Sequence, residues 1–186
     1  NMKVELVTKT VGVGKYEELT NEEILASIAR HGVIKNDNGR LVQYLMKEHH
    51  WSPLDMINFT FEVETSRAIA RQWLRHSSIR PQEHSQRYSD RVLFEDIELR
   101  KEHPTNRQSS TDSFDPTISD LNFLLNEKQY GYTHASETIK EYLNITEKLY
   151  KELIKNGVAK ECARMILPEC TTTTLTFNGS LRSWLS

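Results

Sequence analysis

The chain has 186 residues, of which 37% are hydrophobic and 27% charged, and its formal net charge at pH 7 is -2. That length can close one domain around a substantial core, and the balance of apolar to charged residues is that of a soluble globular protein. A charge so near zero excludes a global basic field for nucleic acid, 2 cysteines exclude a disulfide scaffold, and no apolar run within 1–186 reaches the length of a membrane-spanning helix.

Lys3 to Thr8 alternates Val4 and Leu6 with Lys3 and Glu5, which predicts a short strand. Thr20-Asn21-Glu22-Glu23 is a helix start, an N-cap followed by acidic residues in the first turn. Ile24, Leu25 and Ile28 follow at helical spacing, and Gly32 closes that helix. Asp37-Asn38-Gly39 reads as a turn. Leu41, Tyr44, Leu45 and Glu48 begin a second helix that runs to about His49, and His49-His50-Trp51-Ser52-Pro53 breaks it.

Ile57 to Thr65 is the clearest strand, with Ile57, Phe59, Phe61 and Val63 alternating with polar residues. Arg67 to Arg75 predicts a helix with Ala68, Ile69 and Trp73 as its apolar positions. Pro81 cannot sit in a helix interior, so the residues after Arg75 are expected as a structured loop. Arg100 to Pro116 is polar and is expected as a further loop. From Asp115-Pro116 a long helical region is expected to reach Lys155, with Ile139, Tyr142, Leu143, Leu149, Tyr150 and Leu153 as its apolar stripe. Asn156-Gly157 stops it. Ala159 to Leu167 predicts a second short helix ended by Pro168, Thr171 to Phe177 a β-branched strand, and Leu181 to Leu185 the start of another helix. These elements predict an α+β fold, a mixed or antiparallel sheet flanked by helices. There is no internal repeat and no linker, so 1–186 is read as a single domain.

One stretch does not fit a core. Arg71 to Tyr88, RQWLRHSSIRPQEHSQRY, holds four arginines, two histidines, three serines, three glutamines and no lysine. A solvated helix face usually mixes Lys with Glu at helical spacing. The arginine fork matches phosphate and carboxylate, and Ser, Gln and Glu supply partners for hydroxyls and ring edges. The chemistry points to a small-molecule or nucleotide phosphate site; a charged loop at an oligomer interface and a nucleic-acid-binding arginine patch are the alternatives. A metal site from His49 and His50 is rejected, because adjacent histidines rarely face one ion and no acid converges on them.

The same stretch resembles the signature of flavin-dependent thymidylate synthases, which reads Arg-His-Arg, two variable residues, Ser, a variable residue, often Asn or Gln, Glu, a variable residue, Ser, a variable residue, Arg-Tyr. Arg75, His76, Gln82, Glu83, Ser85, Arg87 and Tyr88 match at the family spacing. Ser77 stands where the family has its second Arg, and Arg80 where it has the mid-motif Ser. The likeness extends from about His50 to the end of the chain. His50-Trp51-Ser52-Pro53-Leu54-Asp55 resembles the family's His-x-Ser/Thr-Pro-x-Glu segment, and Ala163-Arg164-Met165-Ile166-Leu167-Pro168 its Ala-Arg-x-x-Leu-Pro segment.

The resemblance implies roles residue by residue. Ser52 and Asp55 would lie against the flavin; the alternative is a helix cap, with Ser52 at the N-cap and Asp55 at N3. Arg75, His76, Ser77, Gln82 and Glu83 would contact the flavin, as would Ser180, Arg182 and Ser186 by ungapped carry-over. Gln72, Arg75, Glu83, Ser85, Gln86, Arg87 and Arg164 would hold the nucleotide. A nucleotide monophosphate carries about two negative charges near neutral pH, which Arg75, Arg87 and Arg164 could answer. Arg164 could instead be a helix-end cation. Ser85 is expected as a hydrogen-bonding contact, since nothing in the sequence marks a base for a nucleophile. Ser77 removes a cation that would stabilise reduced flavin, and Arg80 could restore it.

The family's uracil-activating Arg lies beyond Ser186, so no catalytic residue is assigned, and a form without the family's C-terminal segment is expected to bind weakly and not turn over. The activity implied is reductive methylation of dUMP to dTMP, with methylenetetrahydrofolate giving the carbon and NADPH reducing FAD. A cytoplasmic homotetramer with reduced Cys162 and Cys170, sites shared between subunits, and neither a metal nor a nucleic-acid or membrane partner is expected. A dUMP-hydroxymethylating relative of the same fold and an arginine-rich nucleic-acid-binding module remain as alternatives.

Overall fold

A computed structural model of the protein describes residues 2–35, 39–84, 92–120, 124 and 131–185. They fall into two compact units, one from Met2–Thr65, Ile69–His84 and Thr173–Ser186, the other from Ser66–Ala68 and Ser85–Thr172. In chain order the elements are β1 (Lys3–Lys9), α1 (Asn21–Ala29), α2 (Arg40–Lys47), β2 (Asn58–Ser66), α3 (Arg67–Trp73), β3 (Arg80–Glu83), β4 (Arg100–Glu102), β5 (Ser110–Ser113), β6 (Thr117–Ser119), β7 (Tyr132–His134), α4 (Ala135–Lys155), α5 (Lys160–Ala163), β8 (Thr172–Ser180) and α6 (Leu181–Leu185). The class is α+β, as the sequence predicts.

The first unit is organised on a sheet of order β1-β2-β8-β3. β1 pairs antiparallel with β2, Val4 opposite Val63 and Leu6 opposite Phe61. β3 pairs antiparallel with β8, Gln82 opposite Thr176 and Glu83 opposite Leu175. Successive side chains of a strand face opposite sides, and β8 obeys this closely: Thr173, Leu175, Phe177 and Gly179 are buried, while the residues between them are not. Leu175 and Phe177 pack with Val63, Ala70 and Ile79, and Phe61, Trp73 and Trp184 close over them. Ile24, Leu25, Leu45, Leu54 and Ile57 form a further core in this unit.

Local chemistry fixes the helix ends. Thr20 and Glu23 form a reciprocal capping box: the Glu23 backbone N–H donates to Thr20 Oγ1 at 3.3 Å and the Thr20 backbone N–H to Glu23 Oε2 at 2.9 Å. Gly32 lies at φ +88°, a left-handed position that glycine takes without strain, and its N–H returns to Ser27 O at 2.7 Å. Of the predicted turn at Asp37-Asn38-Gly39, Asp37 and Asn38 lie outside the described residues. α3 ends at Trp73; Ala70 and Trp73 face the core, Trp73 as predicted, while Ala68 and Ile69 are exposed, contrary to the predicted stripe.

The segment around Pro81 is not the expected loop. It is the edge strand β3. Proline has no N–H to donate, and in a central strand every N–H faces a neighbouring strand; an edge strand turns alternate N–H positions away from its one partner, and Pro81 fits there opposite Phe177.

The second unit corrects two further expectations. Within Arg100–Pro116, β4 and β5 form an antiparallel hairpin. The long helix begins at Ala135, not at Asp115-Pro116, because Thr117–Ser119 pairs as β6 with β7. Asp115 still serves the helix start from a distance in sequence: its carboxylate accepts from Ser136 N at 2.9 Å and Ser136 Oγ at 2.6 Å. The core of this unit is Val92, Tyr150 and Ala163, with Leu153, Ile154, Val158, Ile166 and Leu167 around it. Gly157, at φ +85°, follows α4 as predicted. Two residues of the predicted apolar stripe do not face this core: Tyr142 and Leu149 are 47% and 50% exposed, and Ile145 beside them is 49% exposed.

Leu54 is fully buried in the core that it forms with Ile24, Leu25, Leu45 and Ile57. Leu54→Ala should lower the unfolding free energy by about 2–5 kcal/mol, the range for a large-to-small core change. Denaturant unfolding checks this; an unchanged midpoint would show that Leu54 contributes little to the core.

Candidate functional site

The junction of β8 and α6 gathers three of the residues that the sequence marks. Ser180 ends β8, and its Oγ accepts from the Ser183 backbone N–H at 3.2 Å, an N-cap for the short α6. The same hydroxyl donates to Asp55 Oδ1 at 2.9 Å. Arg182 Nη1 donates to Asp55 Oδ2 at 3.0 Å. Leu181 N–H donates to Ile57 O at 2.7 Å, so backbone as well as side chains join this junction to residues 55–57. The Arg182 hydrogen bond, then that of Ser180, holds the Asp55 carboxyl below its ordinary range, against the opposing effect of burial.

This geometry overturns the capping alternative for Ser52 and Asp55. Ser52 is the first residue of a 3-10 turn, Ser52–Met56, not its N-cap, and no side chain caps that turn. Asp55 faces Ser180 and Arg182 instead. Ser52 itself is exposed.

The arginine-rich stretch leaves the core on α3 and returns on β3. Gln72, Arg75, His76, Ser77 and Arg80 are all exposed, as are Gln82 and Glu83 on the edge strand. Trp73 and Ile79 point the other way, into the core with Phe177. A pocket of about 320 Å³ opens between these faces, lined by Gln72, Trp73, His76, Ile79, Ser183 and Trp184. Gly179 lies against its wall. A Cβ there would come within 3.3 Å of both Ser183 Cβ and Trp184 Nε1, closer than side chains comfortably approach. Trp184 Nε1–H is in turn satisfied by Gly179 O at 3.2 Å. His76 Nδ1 lies 3.0 Å from Ser78 Oγ. Glu83 Oε1 accepts from the buried Thr173 hydroxyl at 2.9 Å, across the β3–β8 pair.

The structure thus brings Gln72 and His76 to one pocket, and Asp55, Ser180 and Arg182 to one hydrogen-bonded group. Ser85, Gln86, Arg87 and Ser186 lie outside the described residues. Arg164 belongs to the other unit, at the start of a 3-10 turn after α5, where its Nε donates to Glu161 O at 3.4 Å, the helix-end arrangement named as its alternative. Trp73, Ile79, Ser183, Trp184 and Thr173 carry no sequence signal of a site; the pairing of β3 with β8 brings Thr173 to Glu83, and no local pattern reveals it.

His49 lies beside the Trp51 ring and His50 beside Tyr44, so the two histidines face different neighbours. Among the described residues no three His, Cys, Asp or Glu side chains gather as metal ligands. The pocket sets the indole rings of Trp73 and Trp184, 6.5 Å apart and tilted by 57°, beside polar Gln72 and His76, an apolar surface with polar edge groups that fits an aromatic ligand such as a flavin.

Comparison with known proteins accords with this chemistry. The model of the family described as thymidylate synthase complementing protein matches residues 8–186. The chain is 38% identical over 172 residues to the flavin-dependent thymidylate synthase of Synechocystis sp., covering 91% of this chain and 74% of that protein. It is 34% identical over 182 residues to the probable flavin-dependent thymidylate synthase of Paramecium bursaria Chlorella virus 1, covering 96% and 78%. The flavin-dependent thymidylate synthase of Thermus thermophilus is 32% identical over 134 residues, 71% of this chain and 44% of that protein. With its signature stretch, its α+β fold and a family match that runs over nearly its whole length, the chain belongs to the thymidylate synthase complementing protein family.

Proposed function

We propose that the protein is a flavin-dependent thymidylate synthase that reductively methylates dUMP to dTMP, using methylenetetrahydrofolate as carbon donor, FAD as flavin and NADPH as reductant. The observation that carries this reading is the meeting of Gln72 and His76, from the arginine-rich stretch, with Ser183 and Trp184 of the distant α6 in one aromatic-walled pocket. The family match crosses both compact units, which supports reading 1–186 as one family domain.

The flavin, when bound, supplies the reducing equivalents. The protein's part is to bind, orient and exclude water. Arg75, His76, Ser77, Gln82, Ser52 and the Asp55–Ser180–Arg182 group, with Ser186, would hold the flavin. Gln72, Arg75, Ser85, Gln86, Arg87 and Arg164 would hold the nucleotide, the arginines answering its phosphate by charge-assisted hydrogen bonds. Glu83 is suited to a donor on the sugar or ring: Thr173 engages Oε1, and Oε2 can accept from a ligand hydroxyl or N–H.

We read the working form as a homotetramer with sites shared between subunits. The support is the outward row of Tyr142, Ile145 and Leu149 on α4, spaced to lie on one helical face. Among the described residues no helix is long and apolar enough to cross a membrane. Cys162 and Cys170 are both free thiols, which suits the cytoplasm, where we place the activity.

Three outcomes test this reading. Any labelled nucleotide formed from labelled methylenetetrahydrofolate and dUMP should be dTMP; a hydroxymethylated product would sink the synthase assignment. Arg87→Ala should weaken dUMP binding by about 1.5–3 kcal/mol, the range for a hydrogen bond to a charged group; calorimetry showing wild-type affinity would remove Arg87 from the phosphate site. The double substitution Ile145→Glu and Leu149→Glu should lower the mass seen by sedimentation, and an unchanged mass would remove this face from the subunit interface.

A further inference from the structure

We propose that Asp55 does not touch the flavin but acts through Arg182, as a positioning residue that aims the guanidinium at an anionic group of the ligand. The inference rests on the reading of Arg182 as a flavin contact, and it changes the role that the resemblance gives to Asp55.

Each carboxylate oxygen of Asp55 is turned to a protein donor, Oδ1 to the Ser180 hydroxyl and Oδ2 to Arg182 Nη1. An ionised carboxylate has no proton to donate and would repel a phosphate brought close to it. Arg182 can reach such a group, because the Asp55 contact uses Nη1 alone and a guanidinium has five N–H donors.

The contact is not needed to hold the junction together. Leu181 N–H is bonded to Ile57 O, and the Leu181 side chain packs on the core containing Leu54 and Ile57. The Arg182 and Asp55 side chains are 49% and 37% exposed, so solvent screens their attraction and the pair adds little to stability. What remains for it to do is orient: a long arginine side chain is otherwise free to sample many rotamers.

The test is a double-mutant cycle on FAD affinity, read by flavin fluorescence, with Asp55→Asn, Arg182→Gln and the pair combined. Asp55→Asn should weaken FAD binding about tenfold with little change in melting temperature. Asp55→Glu, which keeps the carboxylate, should restore most of the affinity. In the Arg182→Gln background, Asp55→Asn should cost nothing more, since its effect passes through the missing guanidinium. Fully additive losses would overturn the proposal, because Asp55 would then contact the ligand by itself while the flavin site stood. Wild-type affinity in Asp55→Asn would overturn it equally. If the unmutated protein takes up no FAD, or Arg182→Gln binds it unchanged, the reading of Arg182 fails and the proposal falls with it.

Discussion

The burial of one face of β8 is the constraint on which the candidate site depends. Leu175 and Phe177 are almost fully buried, and each contributes on the order of 1.5–3 kcal/mol by leaving water. That burial fixes which way every other residue of the strand must point, since a slip of a single residue would turn the whole apolar set outward. The register then places Thr173 where its hydroxyl meets Glu83 and leaves Ser180 at the end of the strand, where it caps α6. Gly179 keeps the wall behind the pocket thin enough for Trp184 to lie against it. Polar residues of the arginine-rich stretch stay outside because Trp73 and Ile79 take the inside positions.

Electrostatics at the junction follow from the same placement. Asp55 is anchored by a short turn, yet its carboxylate reaches both residues that flank the start of α6. The Arg182 hydrogen bond lowers its proton affinity most, and the Ser180 bond adds to this. A carboxylate whose folded pKa is depressed stabilises the fold above its unfolded value, about 3.9, and that stabilisation is lost as pH falls through the folded value. At neutral pH Asp55 is therefore fully ionised. The group is a fixed anion with a cation held against it, which suits binding and orientation rather than proton transfer.

Much of this was legible in the sequence, and the exceptions share a cause. The alternation of Ile57, Phe59, Phe61 and Val63 announced β2, Thr20 and Glu23 announced the start of α1, and the spacing of Arg75, His76, Gln82, Glu83, Ser85, Arg87 and Tyr88 carried the family. Pro81 misled because its effect depends on whether a strand lies at an edge, which is a tertiary fact. The early start given to the long helix failed similarly: Asp115 does cap α4, but across the β6–β7 pair. The hairpin of β4 and β5 lacks hydrophobic alternation, since its residues are almost all exposed. At the site, the motif supplied Gln72 and His76, but their partners Ser183 and Trp184 come from a segment more than a hundred residues away in sequence. Asp55 was marked by the resemblance, but its bonds to Ser180 and Arg182, from a segment far along the chain, had no local pattern to announce them. A resemblance transfers residue types at positions; it does not transfer hydrogen-bond partners.

The central claim is that the frame around β8 and α6 holds a flavin beside a nucleotide. The most direct test is the visible absorbance spectrum of the protein after gel filtration, first as purified and then after addition of FAD and dUMP. The account predicts a flavin band that stays with the protein peak and is perturbed by dUMP. A colourless protein that takes up no FAD, although folded by circular dichroism, would contradict it.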